Sequence, residues 1–244
     1  MDCQCQNSLI CFSQMKTLGK LVRQKSHSDS GLGQHHFSTL DTDMEQGSPQ
    51  WFKARLGKVT ASRVSDVIAK TKSGYSTSRA KYMAQLLIER ITGEPVESYT
   101  NPAMERGIEQ EKFARAAYEA KANVLVDECG SVDHPTIPMS SASPDGLVEQ
   151  DGLVEIKNPM SHTHLETLLT KTVPGDYVVQ MQWQMACTGR KWCDFVSYDS
   201  RMPEHLRLFV KRVERDEKHI TELEKEVLKF LTELDEKVNQ LKEI

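Results

Sequence analysis

The chain has 244 residues, of which 38% are hydrophobic and 27% charged. This composition is typical of a globular protein with one sizeable core. No run of about 18 apolar residues occurs, so the sequence predicts no membrane-spanning helix. The formal net charge of −4 argues against a protein that coats nucleic acid through global positive charge, but it permits a local basic surface. The six cysteines form no C-x-x-C pair and are interpreted as reduced thiols of a cytosolic protein.

Residues 1–47 differ in composition from the rest of the chain. They are rich in Ser, Gln and His and show no hydrophobic periodicity. We expect them to be a loosely ordered extension, or a spurious segment preceding a true start at Met44. Residues 48–244 are predicted to form a single domain that ends in a long amphipathic helix.

Four helices are predicted in the first part of this domain. Ser48 and Pro49 supply an N-cap and a first-turn proline, and Gly57 closes the short first helix. The other three are predicted at 60–69, 78–92 and 101–122. Apolar residues of the fourth helix are spaced for one buried face. These residues are Met104, Ile108, Phe113 and Ala117.

Strands and helices then alternate. Strands are predicted at 124–128, 147–149, 153–157, 193–198 and 206–213, and helices at 164–170, 176–188 and 216–242. This order predicts an α/β (α+β) fold with a mixed central β-sheet flanked by helices. The last helix has a seven-residue apolar repeat, which is interpreted as packing on its own domain or a neighbouring subunit, with a coiled-coil seam as the alternative.

The hairpin at residues 145–157 carries the most informative pattern. A two-residue turn at 151–152 would place Asp145 on the face opposite Glu155 and Lys157, because side chains alternate along a strand. A three-residue loop at 150–152, with Gly152 in the left-handed position, places all three side chains on one face. The sequence therefore favours the three-residue loop.

These residue types suit metal-dependent phosphodiester hydrolysis. Magnesium prefers oxygen ligands, which the carboxylates of Asp145 and Glu155 and the backbone carbonyl of Ile156 can supply. Such a metal activates water and stabilises the transition state, and the ammonium group of Lys157 can orient the nucleophile. A lone pattern of this kind also occurs by chance in solvated hairpins.

Five segments resemble the phage lambda exonuclease family, also called YqaJ-type viral recombinases, within the PD-(D/E)xK nucleases. The segments are 51–63, 143–147, 152–159, 180–184 and 198–201. The resemblance implies a restriction-endonuclease-like core and a magnesium-dependent 5′→3′ exonuclease that leaves 3′ single-stranded tails on linear duplex DNA. It also implies two Mg²⁺ ions per site with Mn²⁺ as substitute, a homotrimeric ring, a single-strand annealing partner, and a phage or prophage protein of the bacterial cytoplasm.

The resemblance assigns roles to individual positions. Asp145, Glu155 and Lys157 match the catalytic trio, and Ile156 matches the carbonyl ligand. Glu111 matches an acidic residue on a helix near the metals, with Glu109 as a rival. The matches to residues that hold the terminal 5′-phosphate are Arg55, Ser62 and Gln180.

Residues 53–81 form a basic segment. It contains eight basic residues and the single acidic residue Asp66. We interpret this excess as one wall of a DNA channel, because phosphate neutralisation drives nucleic-acid affinity, although a solvated basic face is the usual reading of a charge run. Lys72, in a Lys-Ser-Gly loop, is predicted to touch the duplex end.

Other interpretations stay open at this point. A restriction-type endonuclease or nickase would share the same site, and a noncatalytic DNA-end binding module would share only the surface. His162 and His164 could bind zinc, although no further ligand cluster accompanies them. Trp183 and Trp192 could stack on bases, but core packing is the preferred interpretation.

Overall fold

The computed structural model describes residues 44–96 and 102–244. The predicted extension over residues 1–47 lies outside this range except for its last four residues. Within those four, the amide Nε2 of Gln46 donates hydrogen bonds to the carbonyls of Cys129 and Pro144. Ordered contacts therefore begin before the first helix.

Seven α-helices are described. They are α1 (Pro49–Arg55), α2 (Val64–Ile68), α3 (Thr77–Thr92), α4 (Pro102–Ala122), α5 (Ser161–Thr170), α6 (Gly175–Thr188) and α7 (Glu217–Lys242). Ten strands accompany them within the same residues. They are β1 (Val59–Thr60), β2 (Lys70–Thr71), β3 (Gly74–Tyr75), β4 (Val126–Asp127), β5 (Val132–Asp133), β6 (Ser140–Ala142), β7 (Gly146–Val148), β8 (Gly152–Lys157), β9 (Trp192–Tyr198) and β10 (Leu208–Glu214).

The central sheet has five strands in the order β10-β9-β8-β7-β4. Strands β8 and β9 run parallel, and the other neighbours are antiparallel. A smaller sheet has the order β1-β6-β5, and β2 and β3 form a separate hairpin. The predicted fold class, a mixed central sheet flanked by helices, is confirmed.

Side-chain alternation gives the central sheet two different faces. Leu147, Leu153 and Phe195 belong to a core that includes residues of α6 and α7. Val154 and Val196 point the other way, into a core that includes residues of α4. The odd-numbered residues of β8 therefore face α6, and this assignment places Glu155 and Lys157 on that side.

The β7–β8 loop has three residues, as predicted, but its position is one residue earlier. Val148 pairs with Gly152, so the loop comprises residues 149–151, and Glu149, with φ of 50°, takes the left-handed conformation. Gly152 lies in the strand because a Cβ there would come within 2.1 Å of the Trp192 ring. Relative to the predicted pairing, each β7 residue lies opposite a β8 residue two positions earlier. Side chains two positions apart share a face of the strand, so Asp145 still lies on the same face as Glu155.

Of the four residues predicted to form the buried face of α4, only Ala117 packs against a core, where it is partly buried. Met104, Ile108 and Phe113 are 49%, 74% and 51% exposed, whereas Ala114 and Tyr118 are fully buried. Only the C-terminal part of α4 packs on the sheet. The apolar residues of its first half are therefore not part of a core, despite their helical spacing.

The predicted helix at 60–69 also differs from the structure. It begins as strand β1 and a 3₁₀ turn at Ala61–Arg63, and it becomes α-helical only at Val64.

Helix α7 packs on its own domain. Its buried residues belong to the same core as residues of α2, α3 and α6. They include Leu223, Val227, Phe230, Leu231, Leu234 and Val238. The apolar repeat of α7 is thus an intramolecular surface, as the preferred interpretation held. Among the described helices, none is long and apolar enough to cross a membrane.

Candidate active site

Three predicted catalytic side chains meet at the end of the β7–β8 hairpin. The pairing of Gly146 with Val154 places Asp145 opposite Glu155 when the register is extended by one residue. Lys157 follows two residues later on the same face of β8 and makes a salt bridge with Glu155. Gly146 is required in this hairpin because a Cβ there would lie 2.1 Å from Val126.

Glu155 is fully buried, and both of its carboxylate oxygens accept hydrogen bonds. The amide Nε2 of Gln180 donates to Oε1 at 2.6 Å, and that of Gln184 donates to Oε2 at 2.5 Å. Lys157 also contacts Oε1. A buried carboxylate requires such partners because charge is otherwise strongly disfavoured in the interior. Gln180, predicted to bind phosphate, thus contacts Glu155, which is itself a predicted catalytic residue.

Asp145 lies half-buried at the rim, where its Oδ2 accepts a 2.6 Å hydrogen bond from the backbone N–H of Ile156. Its pKa is raised well above the usual carboxyl value, first because the surrounding protein desolvates it and next because Glu155 repels its charge. Glu111 adds to this repulsion, whereas Lys157 and the hydrogen bond from Ile156 oppose it. The site therefore concentrates more negative charge than it neutralises.

Helix α4 brings Glu111 toward this cluster. Arg106 donates to the carbonyls of Asn158 and Pro159, and Asn158 donates to the carbonyl of Gly107, so α4 is joined to the end of β8. Glu111 is partly exposed and pairs with Arg115 at 2.9 Å. Glu109 is exposed, whereas Glu111 is one of the charges that raise the pKa of Asp145. This geometry favours Glu111 over its rival.

Lys157 is a persistent cation. Burial lowers its pKa, but the charges of Glu155 and Asp145 and the hydrogen bond to Glu155 outweigh that effect, and the net pKa is raised. The side chain is 26% exposed, and its ammonium group contacts the fully buried carboxylate of Glu155.

Arg55 reaches the same end of the hairpin from α1. Its Nη1 donates to the hydroxyl of Ser143 at 2.8 Å, and Trp51 donates to that hydroxyl at 3.0 Å. The guanidinium also stacks on the Trp51 ring, 4.1 Å from its centroid. Burial lowers the pKa of Arg55 to about 10, against the effects of Tyr82 and Glu89, so it remains charged at neutral pH.

The remaining predicted DNA-binding residues lie on the surface. Ser62 is exposed in the 3₁₀ turn, and Lys72 is exposed at the tip of the β2–β3 hairpin. That hairpin is attached to α7, since Lys70 and Tyr75 both bind Glu226 at 2.6 Å.

Acidic residues pair with half of the basic segment. Lys58 pairs with Asp133, Arg63 with Asp66, Lys70 with Glu226 and Arg79 with Glu233. The positive field of residues 53–81 is therefore weaker than the sequence count suggests. Its exposed lysines without a recorded ion pair are Lys53, Lys72 and Lys81.

The donors near Asp145 fit a hard divalent cation. Carboxylate and carbonyl oxygens are the ligands that magnesium prefers, and the mutual repulsion at Asp145 is of the kind that a cation relieves. In the described part of the chain, however, no group of three or more His, Cys, Asp or Glu side chains is already arranged as a metal site. The residues fit the ion by chemistry, while Lys157 and the glutamines occupy the oxygens of Glu155.

The other sequence candidates are structural. His164 is fully buried on α5, with Nδ1 at 2.8 Å from the Ser197 hydroxyl and Nε2 at 2.7 Å from the Leu206 carbonyl. Trp183 is fully buried, and Trp192 stacks under Arg212 at 3.5 Å.

Two site residues were missed by reading the sequence. Ser143 was seen only as part of a motif, although it contacts Arg55, and Gln184 was not singled out. The signal for Gln184 was its position four residues after Gln180, which places both on one helix face.

Comparisons with known proteins find a family profile and solved structures that this chain resembles. The family profile described as "YqaJ-like viral recombinase domain" matches residues 50–191. An alkaline exonuclease (LHK-Exo) from Laribacter hongkongensis shares 50% identity and a TM-score of 0.75, and the match covers 80% of this chain and 97% of that one. The same enzyme in complex with dAMP gives a TM-score of 0.76 with the same identity and coverage.

A more distant structure shares the fold. A phage-related exonuclease from Haemophilus somnus 129PT has 15% identity and a TM-score of 0.63, and the match covers 75% of this chain and 96% of that one. Comparison with curated protein sequences gives no match.

The raised pKa of Asp145 predicts a pH-dependent stability. A carboxyl group with a raised pKa in the folded state stabilises the fold below its unfolded pKa, and this contribution is lost as the pH rises through the folded value. In EDTA, Asp145→Asn should therefore melt several degrees higher than the wild type at pH 8, with the difference shrinking toward pH 4. Thermal melts across this range measure it.

The matched control is Asp151→Asn in the exposed β7–β8 loop, which should show no such trend. Equal melting temperatures of wild type and Asp145→Asn at pH 8 would mean that Asp145 is not destabilised by its neighbours.

Proposed function

Because the chain belongs to the family of YqaJ-like viral recombinase domains, we propose that it is a magnesium-dependent exonuclease that degrades the 5′-ended strand of linear duplex DNA. The observation that carries this proposal is the convergence of Asp145, Glu155 and Lys157 on one face of a hairpin, with Arg55 reaching the same hairpin end. The name of the relative from Laribacter, an alkaline exonuclease, supports the same activity class.

The metal ligands follow from the donor set. Asp145, Glu155, Glu111 and the carbonyl of Ile156 would hold two Mg²⁺ ions, for which Mn²⁺ substitutes. When bound, the ions activate water at neutral pH and offset the charge of the transferred phosphate. Asp145 must be ionised to take part, so cation binding competes with its raised affinity for a proton.

Lys157 acts as a hydrogen-bond donor and not as a general base. Its pKa is raised, so Nζ keeps its proton throughout the working range. The ammonium group of Lys157, beside Glu155, can orient the attacking water and stabilise negative charge on the scissile phosphate. Gln180 and Gln184 hold the carboxylate of Glu155 during these steps.

The terminal 5′-phosphate would be held by Arg55, Ser62 and Gln180. The guanidinium of Arg55 is half-buried, charged and fixed by Ser143 and Trp51. A preorganised planar fork binds phosphate oxygens with little loss of side-chain entropy. Lys72, at its hairpin tip, would contact the duplex itself.

Strand polarity and assembly are the finer parts of the proposal. Capture of a 5′-phosphate beside the hydrolytic carboxylates implies digestion from the 5′ end and release of nucleoside monophosphates. The dAMP complex of the Laribacter relative is consistent with such a product. We further propose a homotrimeric ring, a single-strand annealing partner for the 3′ tails, and action in recombination inside the bacterial host.

Replacing Lys157 tests its proposed role in hydrolysis. Lys157→Ala should lower the rate on end-labelled linear duplex about 100-fold or more, the usual loss when one charge-stabilising donor is removed. Lys225→Ala, an exposed lysine of α7, is the control and should digest at the wild-type rate.

Two outcomes of this assay would redirect the proposal. Cleavage of covalently closed circles by the wild type would indicate a restriction-type endonuclease or nickase. Mg²⁺-independent binding to DNA ends, with no digestion by the wild type, would indicate a noncatalytic end-binding module.

The 5′-phosphate role makes a separate prediction. Wild type should digest 5′-phosphorylated duplex at least about tenfold faster than 5′-hydroxyl duplex, as expected for one charged hydrogen-bonded contact worth about 1.5–3 kcal/mol. Arg55→Ala should reduce this ratio toward one, and Arg207→Ala, an exposed arginine, should preserve it. Equal rates of the wild type on both ends would remove the capture role.

A further inference from the structure

The two oxygens of Glu155 lie in different environments. Oε1 is contacted by Gln180 and by Lys157, whose side chain is 26% exposed. Oε2 accepts only from Gln184 in the recorded contacts, and Gln184 is completely buried. Oε1 therefore lies beside a partly exposed lysine, whereas Oε2 lies beside a fully buried amide.

A second buried group contacts the Gln184 amide. Its Oε1 lies 3.9 Å from the Sγ of Cys193, which is fully buried on β9 and can donate a weak hydrogen bond through its S–H. With its oxygen turned toward the thiol, the amide presents Nε2 to Glu155. Strand β9 thus fixes a residue of α6 that in turn fixes a residue of β8.

A neutral donor is well suited to this position. An arginine or lysine beside Oε2 would cancel the charge that a divalent cation needs. An apolar residue would leave a buried carboxylate oxygen without a partner, which is unfavourable. The glutamine amide donates a hydrogen bond to the carboxylate without neutralising its negative charge.

We propose that Gln184 is a positioning residue, an inference that rests on the nuclease function proposed above. It holds Oε2 of Glu155 in the interior, so that Oε1 is the oxygen presented to a divalent cation. Without Gln184 the carboxylate can rotate about its last side-chain bond, which has a broad torsional preference. The predicted consequence is weaker cation binding, with the DNA surface unchanged.

Helix α6 offers a matched control. Gln182 is 2% exposed, and it donates to the Glu214 carbonyl at 2.8 Å and accepts from the Asp216 N–H at 2.9 Å. It is a buried glutamine of the same helix with two hydrogen bonds, and none of its recorded bonds involves Glu155. Gln182→Leu therefore tests the general effect of losing a buried amide from α6.

The experiment measures Mn²⁺ binding by calorimetry on the full chain without DNA, followed by kcat and KM on linear duplex at saturating Mn²⁺. Gln184→Leu should bind Mn²⁺ about 10- to 100-fold more weakly, the range for partners that orient metal ligands. Its kcat should fall while KM for DNA stays within about twofold of wild type. Gln182→Leu should lower the melting temperature but keep Mn²⁺ affinity within about twofold.

Cys193→Ala provides an independent variant if Gln184→Leu does not fold. It removes the thiol that orients the amide, and it should weaken Mn²⁺ binding in the same direction by about twofold or more. Wild-type Mn²⁺ affinity in a folded Gln184→Leu protein, or in Cys193→Ala when only that variant folds, would overturn the inference.

The result separates the two proposals. If the wild type digests DNA with Mg²⁺ and Gln184→Leu binds Mn²⁺ normally, only the positioning role fails. If the wild type neither binds Mn²⁺ nor digests DNA, the proposed function fails and the inference falls with it.

Discussion

A buried negative charge on Glu155 organises this end of the molecule. An ionised carboxylate with no exposure must be matched by hydrogen bonds or an opposite charge, because desolvating it alone is strongly unfavourable. Gln180, Gln184 and Lys157 provide these partners. The requirement fixes how α6 lies across β8, since both glutamines must face the strand although their helix neighbours are in the apolar core.

The same requirement explains why the site lies where three elements meet. The hairpin supplies Asp145 beside Glu155, and α4 is joined to the end of β8 through Arg106 and Asn158, which brings Glu111 toward Asp145. Their carboxylates repel one another, so the folded state carries an unfavourable interaction there. Anything that binds the folded state and offsets this charge stabilises it, and a divalent cation has the right chemistry.

Ion pairs make the surface formed by residues 53–81 less positive than the number of basic residues in that segment suggests. The acidic helix α7 contributes Glu226 and Glu233, which pair with Lys70 and Arg79 of the basic segment. The exposed pair at Lys70 contributes little to stability, and both pairs reduce the local positive potential. Fewer cations of the basic segment are thereby left without an acidic partner, and Arg55 contacts Ser143 beside the candidate site.

Local sequence patterns were enough to predict several helix ends, the shared face of the site residues, the fold class and the family. The caps at Ser48 and Gly93 set helix ends, and strand alternation put Asp145, Glu155 and Lys157 on one face whichever three-residue loop was chosen. The fold class and the family were likewise readable, because periodicity and contiguous motifs are properties of neighbouring residues.

Only the tertiary structure decided which apolar residues are buried and which polar residues meet. Ile108 is exposed although its spacing is that of a core residue, because the sheet covers only the other half of α4. Position 152 requires glycine because the Trp192 ring, forty residues away, occupies the space of a Cβ there. Gln184 reaches Glu155, and Ser143 reaches Arg55, through contacts between distant segments. Such contacts depend on how elements pack against one another, and no local pattern encodes that.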